Sequence, residues 1–148
     1  MANAYIVDAI RTAGGRRNGA LREWHPADLA GEVLAALVER TGVDPHCIDD
    51  VIMGCVSQAG EQSNHVGRAA VLASGLPECV PAVTIDRQCG SSQQAMQFAA
   101  QAVLSGTQDI VIAAGVESMT RVPMFSNFLL HTKAGYGTGP MSPRMKER

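Results

Sequence analysis

Four short and almost continuously apolar runs occur within the first 115 residues, and a stretch of helical periodicity separates each from the next. The runs are Tyr5 to Ile10, Val51 to Val56, Pro81 to Asp86 and Asp109 to Gly115. Each has the length of a strand and lacks the alternation of a half-exposed one, which predicts burial on both faces. Pro26 suits the first turn of a helix, Leu29, Val33 and Leu37 recur at i+4 with Ala30, Leu34 and Val38 beside them, and Gly42 stops the stripe. A second helix is predicted from about Val66 to Ser74, with Val66, Ala69, Ala70 and Ala73 in phase and Gly75-Leu76-Pro77 ending it. The Ala- and Gln-rich segment from Gln88 to Leu104 predicts a third, closing at Gly106. The order is therefore β, α, β, α, β, α, β, which favours an α/β fold with a mostly parallel, helix-covered sheet. Arg16 to Trp24 reads as a loop. Beyond Gly115 the pattern dissolves, with Pro123, Gly135, Gly137, Gly139, Pro140 and Pro143 and no amphipathic element expected. A long irregular end on a compact domain suggests the opening of something that continues past residue 148.

Charged residues are 18% of the chain, below the usual quarter, while hydrophobic residues reach 46%. That balance argues against disorder and suggests a surface covered by another chain or domain. A net charge of -2 without a basic run leaves no nucleic-acid footprint. Lys133, Arg144, Lys146 and Arg148 thicken only at the end and read as a solvated tail. No apolar run approaches transmembrane length, and Met1 to Tyr5 has neither a basic nor an apolar leader segment, so no membrane and a cytoplasmic location are expected. In that setting Cys47, Cys55, Cys79 and Cys89 read as free thiols. Their spacings of 8, 24 and 10 contain no Cys-x-x-Cys pair and the four histidines are scattered, so no metal is expected.

Chemistry in open α/β sheets collects where strands end and helices begin. Cys89 occupies such a junction: Val83-Thr84-Ile85 ends, Asp86-Arg87-Gln88 turns, and a helix starts nearby. A thiol there faces unpaired backbone N–H groups and the positive end of the helix dipole, a setting that favours the nucleophilic thiolate. Gly90, Ser91 and Ser92 are small enough to admit an acyl group, and the adjacent N–H groups can donate to an oxyanion. The chemistry implied is acyl transfer through a thioester on sulfur. Against this, a free cysteine is ordinarily an inert small hydrophobe. Cys55 reads as core, and Cys47 and Cys79 as packing or surface thiols. A thiol nucleophile usually has a histidine base. His25, His46, His65 and His131 read as cap or solvated residues, and none is placed beside Cys89 by the sequence.

Asp86-Arg87-Gln88-Cys89-Gly90-Ser91-Ser92-Gln93-Gln94-Ala95 resembles the nucleophile motif of the thiolases, the acyl-CoA acetyltransferases. Three further segments agree in order and distance. Ile6 to Thr12 resembles the family's opening strand. Gly60 to Asn64 with Arg68-Ala69-Ala70 resembles the segment before and along its second helix. Ala114 to Thr120 resembles its strand-end signature. The resemblance implies a five-stranded, mostly parallel N-terminal domain flanked by helices over residues 1–117, with the start of a loop domain at 118–148.

It further implies that Cys89 is the catalytic residue, attacking the thioester or a 3-ketoacyl-CoA and holding the acyl group in a ping-pong reaction, with its own N–H donating to the oxyanion. Coenzyme A then enters as substrate and no separate cofactor is implied; the residues that hold it are unknown. The context implied is fatty-acid and lipid metabolism. Gln88, Gly90 and Ser91 shape the turn, and Ser92 stands where many members have glycine. The family's Asn-Glu-Ala-Phe segment, the Gly-His-Pro histidine that activates the nucleophile and the late Cys-x-Gly cysteine have no counterpart here. The chain is accordingly expected to be inactive without a C-terminal half, and to form a homo-oligomer, dimer or tetramer, when complete. Two alternatives stand beside this: a ketoacyl-synthase-like condensing enzyme, and a non-catalytic thiolase-like binding or assembly subunit. Glu117 reads as a structural hydrogen-bonding residue near the domain junction. Asn64 and Arg68 read as a dimer contact or as a cap and a solvated helix residue. Met119 and Met124 read as acyl-pocket lining or as ordinary packing.

Overall fold

A computed structural model describes residues 3–147. Met1, Ala2 and Arg148, which entered the leader and basic-tail readings, lie outside the described residues. Three parallel strands form the sheet: β1 (Asp50–Gly54), β2 (Ala82–Ile85) and β3 (Val111–Gly115), in the order β2-β1-β3. Val51 lies opposite Ala82 and Ile112, and Gly54 opposite Ile85 and Gly115.

Helix α1 (Pro26–Thr41) starts as its sequence suggests, with Pro26 at the first turn. His25 Nδ1 accepts the Ala27 N–H at 3.2 Å, and Gly42 closes the helix in a left-handed conformation at φ 67°. Helix α2 (Val66–Ala73) packs with α1 on one face of the sheet, while α3 (Ser91–Ser105) covers the other. The sidedness follows from the connections. The chain steps from β1 to β2 on one side, then back past β1 to β3 on the other, so right-handed crossovers place α2 and α3 on opposite faces.

Alternation along β1 divides the core. Val51, Met53 and Cys55 point toward α1 and α2, where they meet Leu34, Val66, Ala70 and Val71. Ile52 points toward Ala95 and Ala99 of α3. Each fully buried aliphatic side chain contributes about 1.5–3 kcal/mol relative to exposure, so the β1 region holds most of the stabilising burial.

Two expectations are corrected. The sheet has three strands where five were implied, and Tyr5 to Ile10 is not one of them. That run has no regular secondary structure and lies open to solvent, with Tyr5 79%, Ile6 74% and Val7 84% exposed. A strand exists by pairing its N–H and C=O groups with a neighbour. Here a cavity of about 890 Å³ separates the run from the outer edge of β3, with Leu29 and Val33 of α1 along it. Within the run, Arg40 Nε of α1 meets the Asp8 carboxylate at 2.8 Å. Second, the region after Gly115 contains two short helices, α4 (Ser126–Lys133) and α5 (Pro143–Lys146). The second carried a legible signal: Ser142 accepts the Met145 N–H in front of Pro143, the ordinary serine-cap, proline-first start.

Candidate active site

A reversal of strand order leaves a crevice at the carboxyl ends of the flanking strands, here β1 and β3. Both strands end in glycine, Gly54 and Gly115. The amino end of α3 is seated on them. A methyl group built on Gly54 would drive into the Ser91–Ser92 peptide, and one on Gly115 would stand 2.6 Å from Ser92 Cβ. The two glycines are what let the start of α3 approach the sheet so closely.

Cys89 projects from this junction. It adopts φ 59°, a left-handed conformation that non-glycine residues rarely take, and it is exposed. The turn beneath it is tightly bonded. Gly90 N–H donates to the Arg87 carbonyl at 2.6 Å, and Arg87 N–H donates to Ser91 Oγ at 3.0 Å. Gln88 Nε2 reaches the Asp86 carboxylate at 2.9 Å. Ser91 is buried, so its hydroxyl is committed to holding the turn. Gly90 occupies the cap position of α3 without a side-chain cap, which leaves the first helical N–H groups open. Among the described residues the Cys89 N–H has no internal acceptor. A sulfur ahead of an uncapped helix end, with backbone donors beside it, can attack a carbonyl and shelter the resulting oxyanion.

The other sequence candidates separate cleanly. Cys55 is buried, and burial, followed by the charges of Glu117 and Asp86, pushes its thiol up to about 12. It stays protonated and inert. Cys47 and Cys79 are exposed at the opposite end of the sheet. His25 is spent on its cap, His46 lies beside Cys79, His65 precedes α2 at φ 72°, and the His131 ring packs with Tyr136 at 5.3 Å. None meets Cys89. Met119 and Met124 are exposed on the wall of the cavity beside β3, and Cys89 is not part of that wall. Among the described residues no group of three or more His, Cys, Asp and Glu gathers as a metal site. No described helix is long and apolar enough to cross a membrane.

Glu117 does the structural work expected of it. Its carboxylate accepts from Val56 N–H at 2.7 Å, Ser57 N–H at 3.2 Å and Gln62 Nε2 at 3.0 Å. Gln62 is the joint that sequence reasoning missed. Fully buried, it donates to the Ser57 carbonyl at 2.8 Å and accepts the Ser118 N–H at 2.6 Å. Together they bind the exits of β1 and β3 around the crevice. The signal was an uncharged amide inside Gly60–Asn64, but only the fold shows what it faces. Arg68 is half-buried and donates to the Val80 carbonyl at 2.6 Å and the Glu78 carbonyl at 2.8 Å. Asn64 sits in a left-handed turn at φ 52°. Arg121 pairs with Glu61 (Nη2 to Oε1 2.6 Å), which holds that carboxyl below its ordinary range, and also donates to the Arg22 carbonyl.

An α/β unit with a cysteine raised over glycine-ended strands at a strand-order reversal defines a class: the chain belongs to the thiolase family, whose N-terminal domain matches residues 4–146. That membership supports the thiolase reading over the ketoacyl-synthase alternative. The chain is 48% identical over 136 residues to a steroid 3-ketoacyl-CoA thiolase of Mycobacterium tuberculosis, covering 92% of this chain and 33% of that one. It is 50% identical over 124 residues to a beta-ketoadipyl-CoA thiolase of Acinetobacter baylyi, covering 83% of this chain and 31% of the relative. The crystal structure of the Bacillus anthracis acetyl-CoA acetyltransferase superposes with a TM-score of 0.78 at 41% identity, covering 83% of this chain and 31% of that one. The chain thus spans about a third of the length of the relatives it matches.

Proposed function

We propose that this chain is the nucleophile-bearing part of an acyl-CoA C-acyltransferase that works by ping-pong transfer through S-acyl-Cys89. The carrying observation is the left-handed, exposed Cys89 ahead of an uncapped α3, in a chain of this family. The Cys89 sulfur attacks a carbonyl carbon, and the tetrahedral oxyanion is held by backbone N–H groups of the turn. In thiolysis that carbon is the 3-keto carbon of a 3-ketoacyl-CoA: collapse breaks the C2–C3 bond, acetyl-CoA leaves as its enolate and takes a proton, and the thiol of coenzyme A then removes the acyl group from the sulfur. In condensation it is the thioester carbon of an acyl-CoA: collapse breaks the carbon–sulfur bond to coenzyme A, which leaves as a thiolate and takes a proton, and the acyl group passes to the α-carbon of a second acyl-CoA, which gives up a proton. The relatives' names differ in acyl group, steroid, ketoadipyl or acetyl, but agree on a coenzyme A thioester, and that shared part is the substrate class proposed. Coenzyme A metabolism, of fatty acids among others, is the corresponding context.

The proton acceptor for Cys89 comes from a C-terminal half that packs against this chain. The placement of all four histidines away from Cys89 supports this reading. So do the open edge of β3, with a gap beside it, and Met96, Phe98 and Leu104 exposed along α3. Residues 1–117 are the domain that carries the nucleophile, and 118–148 open the loop domain. The complete enzyme is a cytoplasmic homo-oligomer. Incubating acetyl-CoA with the chain joined to a C-terminal half, followed by peptide mass spectrometry, should find an acetyl group on Cys89. The same treatment of the chain alone should yield no turnover. An acetyl group on Cys47 or Cys79 in place of Cys89 would refute the assignment.

A further inference from the structure

At the amino-terminal end of β2, opposite the Cys89 crevice, a second thiol has what Cys89 lacks within this chain. Cys79 Sγ lies 3.8 Å from His46 Nδ1, within the range of a sulfur hydrogen bond. Both partners are exposed, and both are held by their own backbones. His46 sits in the single turn Pro45–Cys47, where its N–H donates to the Asp44 carboxylate at 2.9 Å. Cys79 sits in the turn that Val80 N–H closes onto the Pro77 carbonyl at 3.0 Å. The Arg68 guanidinium clamps that turn from both sides by donating to the carbonyls of Glu78 and Val80, the residues flanking Cys79. Two segments far apart in sequence are thereby fixed so that an imidazole faces a thiol.

We propose that Cys79 and His46 form a thiol-exchange site for low-molecular-weight disulfides, separate from the acyl-transfer site and independent of its assignment. His46 Nδ1 takes the thiol proton as the Cys79 sulfur attacks one sulfur of the incoming disulfide. A protein–small-thiol disulfide forms and the reagent's sulfur–sulfur bond breaks. The departing thiolate takes up the proton from His46. One disulfide is consumed and one formed, so the small disulfide is the only oxidant. The four residues of β2 separate the two sites by about 13 Å of strand, so a group carried on Cys79 leaves the Cys89 crevice open.

Cys47 is the internal control: it is exposed on the same surface and adjoins His46 in sequence, but its sulfur has no imidazole partner among the described contacts. The test is a site-resolved time course with the disulfide reagent DTNB and with oxidised glutathione, read by peptide mass spectrometry on the whole chain. Cys79 should react about tenfold faster than Cys47. In H46Q its rate should fall to that of Cys47, while Cys89 is unaffected. The buried Cys55 reports the fold, since it becomes labelled only when the core opens. Equal rates at Cys79 and Cys47 in the unaltered chain would overturn the proposal. So would a Cys79 rate unchanged in H46Q with Cys55 still protected.

Discussion

The region around β1 and the region beside β3 are built from similarly apolar sequence and end in opposite states. Val51, Met53, Val66, Ala70 and Val71 around β1 are sealed from solvent by α1 and α2. Beside β3, Tyr5 to Val7 stand in solvent across a cavity, and Leu130, Met119 and Met124 further along the chain are exposed as well. The difference lies in the neighbours. Every face of β1 finds a partner within a few dozen residues. The outer edge of β3 and the amino-terminal run face each other across a gap that nothing among the described residues fills. Apolar character decides that a segment seeks burial, and topology decides whether it obtains it.

The comparison predicts a gradient of mutational effects. Met53→Ala, in the sealed region, should cost about 2–5 kcal/mol in urea denaturation. Tyr5→Ala in the open region should stay within about 0.5 kcal/mol. Equal losses would show that the amino-terminal run is packed in solution after all. Next in size, Gly115→Ala should cost about 1–3 kcal/mol through its collision with Ser92. It should also slow alkylation of Cys89 more than that of Cys47, because it displaces the start of α3. A uniform change across the exposed thiols would detach the glycine from the site.

The smallest expected effect concerns pH. The N–H groups of Ile110 and Asp109 donate to the Asp49 carboxylate, at 3.0 and 2.6 Å, tying the entry of β1 to that of β3. Those bonds, Ile110 foremost, hold its carboxyl below the ordinary value. A carboxyl lowered in the folded state contributes stability above its ordinary value and loses that contribution as pH falls through the folded one. Acid unfolding should therefore steepen at the bottom of the carboxylate range. Asp49→Asn should flatten that limb by lowering stability near neutral pH while leaving the acid end, where Asp49 is protonated, little changed, and identical pH profiles would count against the tie.

Much of the fold could be read in advance because its signals are local. Pro26 and Gly42 bracket α1, Gly106 closes α3, and the apolar runs at residues 51–56, 81–86 and 109–115 became β1, β2 and β3. The sequence pattern puts the start of α3 three residues early, at Gln88; the helix begins at Ser91, which leaves Cys89 in the turn ahead of it. What could not be read was pairing. Tyr5 to Ile10 has the composition of a strand, but hydrogen bonding across a sheet depends on a partner that composition does not name. The Gln62–Glu117 joint and the Arg68 clamp were hidden for the same reason, since each links residues brought together only by the crossovers.

The order of residues alone determined where α1 and α2 start and stop, where α3 ends, and which sulfur stands at a strand-to-helix turn, because each depends on near neighbours in the chain. The tertiary structure decided that β1 is central and β3 an edge, that Gly54 and Gly115 carry α3, and that Cys79 faces His46. Those outcomes depend on contacts between distant segments, which steric fit and backbone pairing select only once the sheet is assembled.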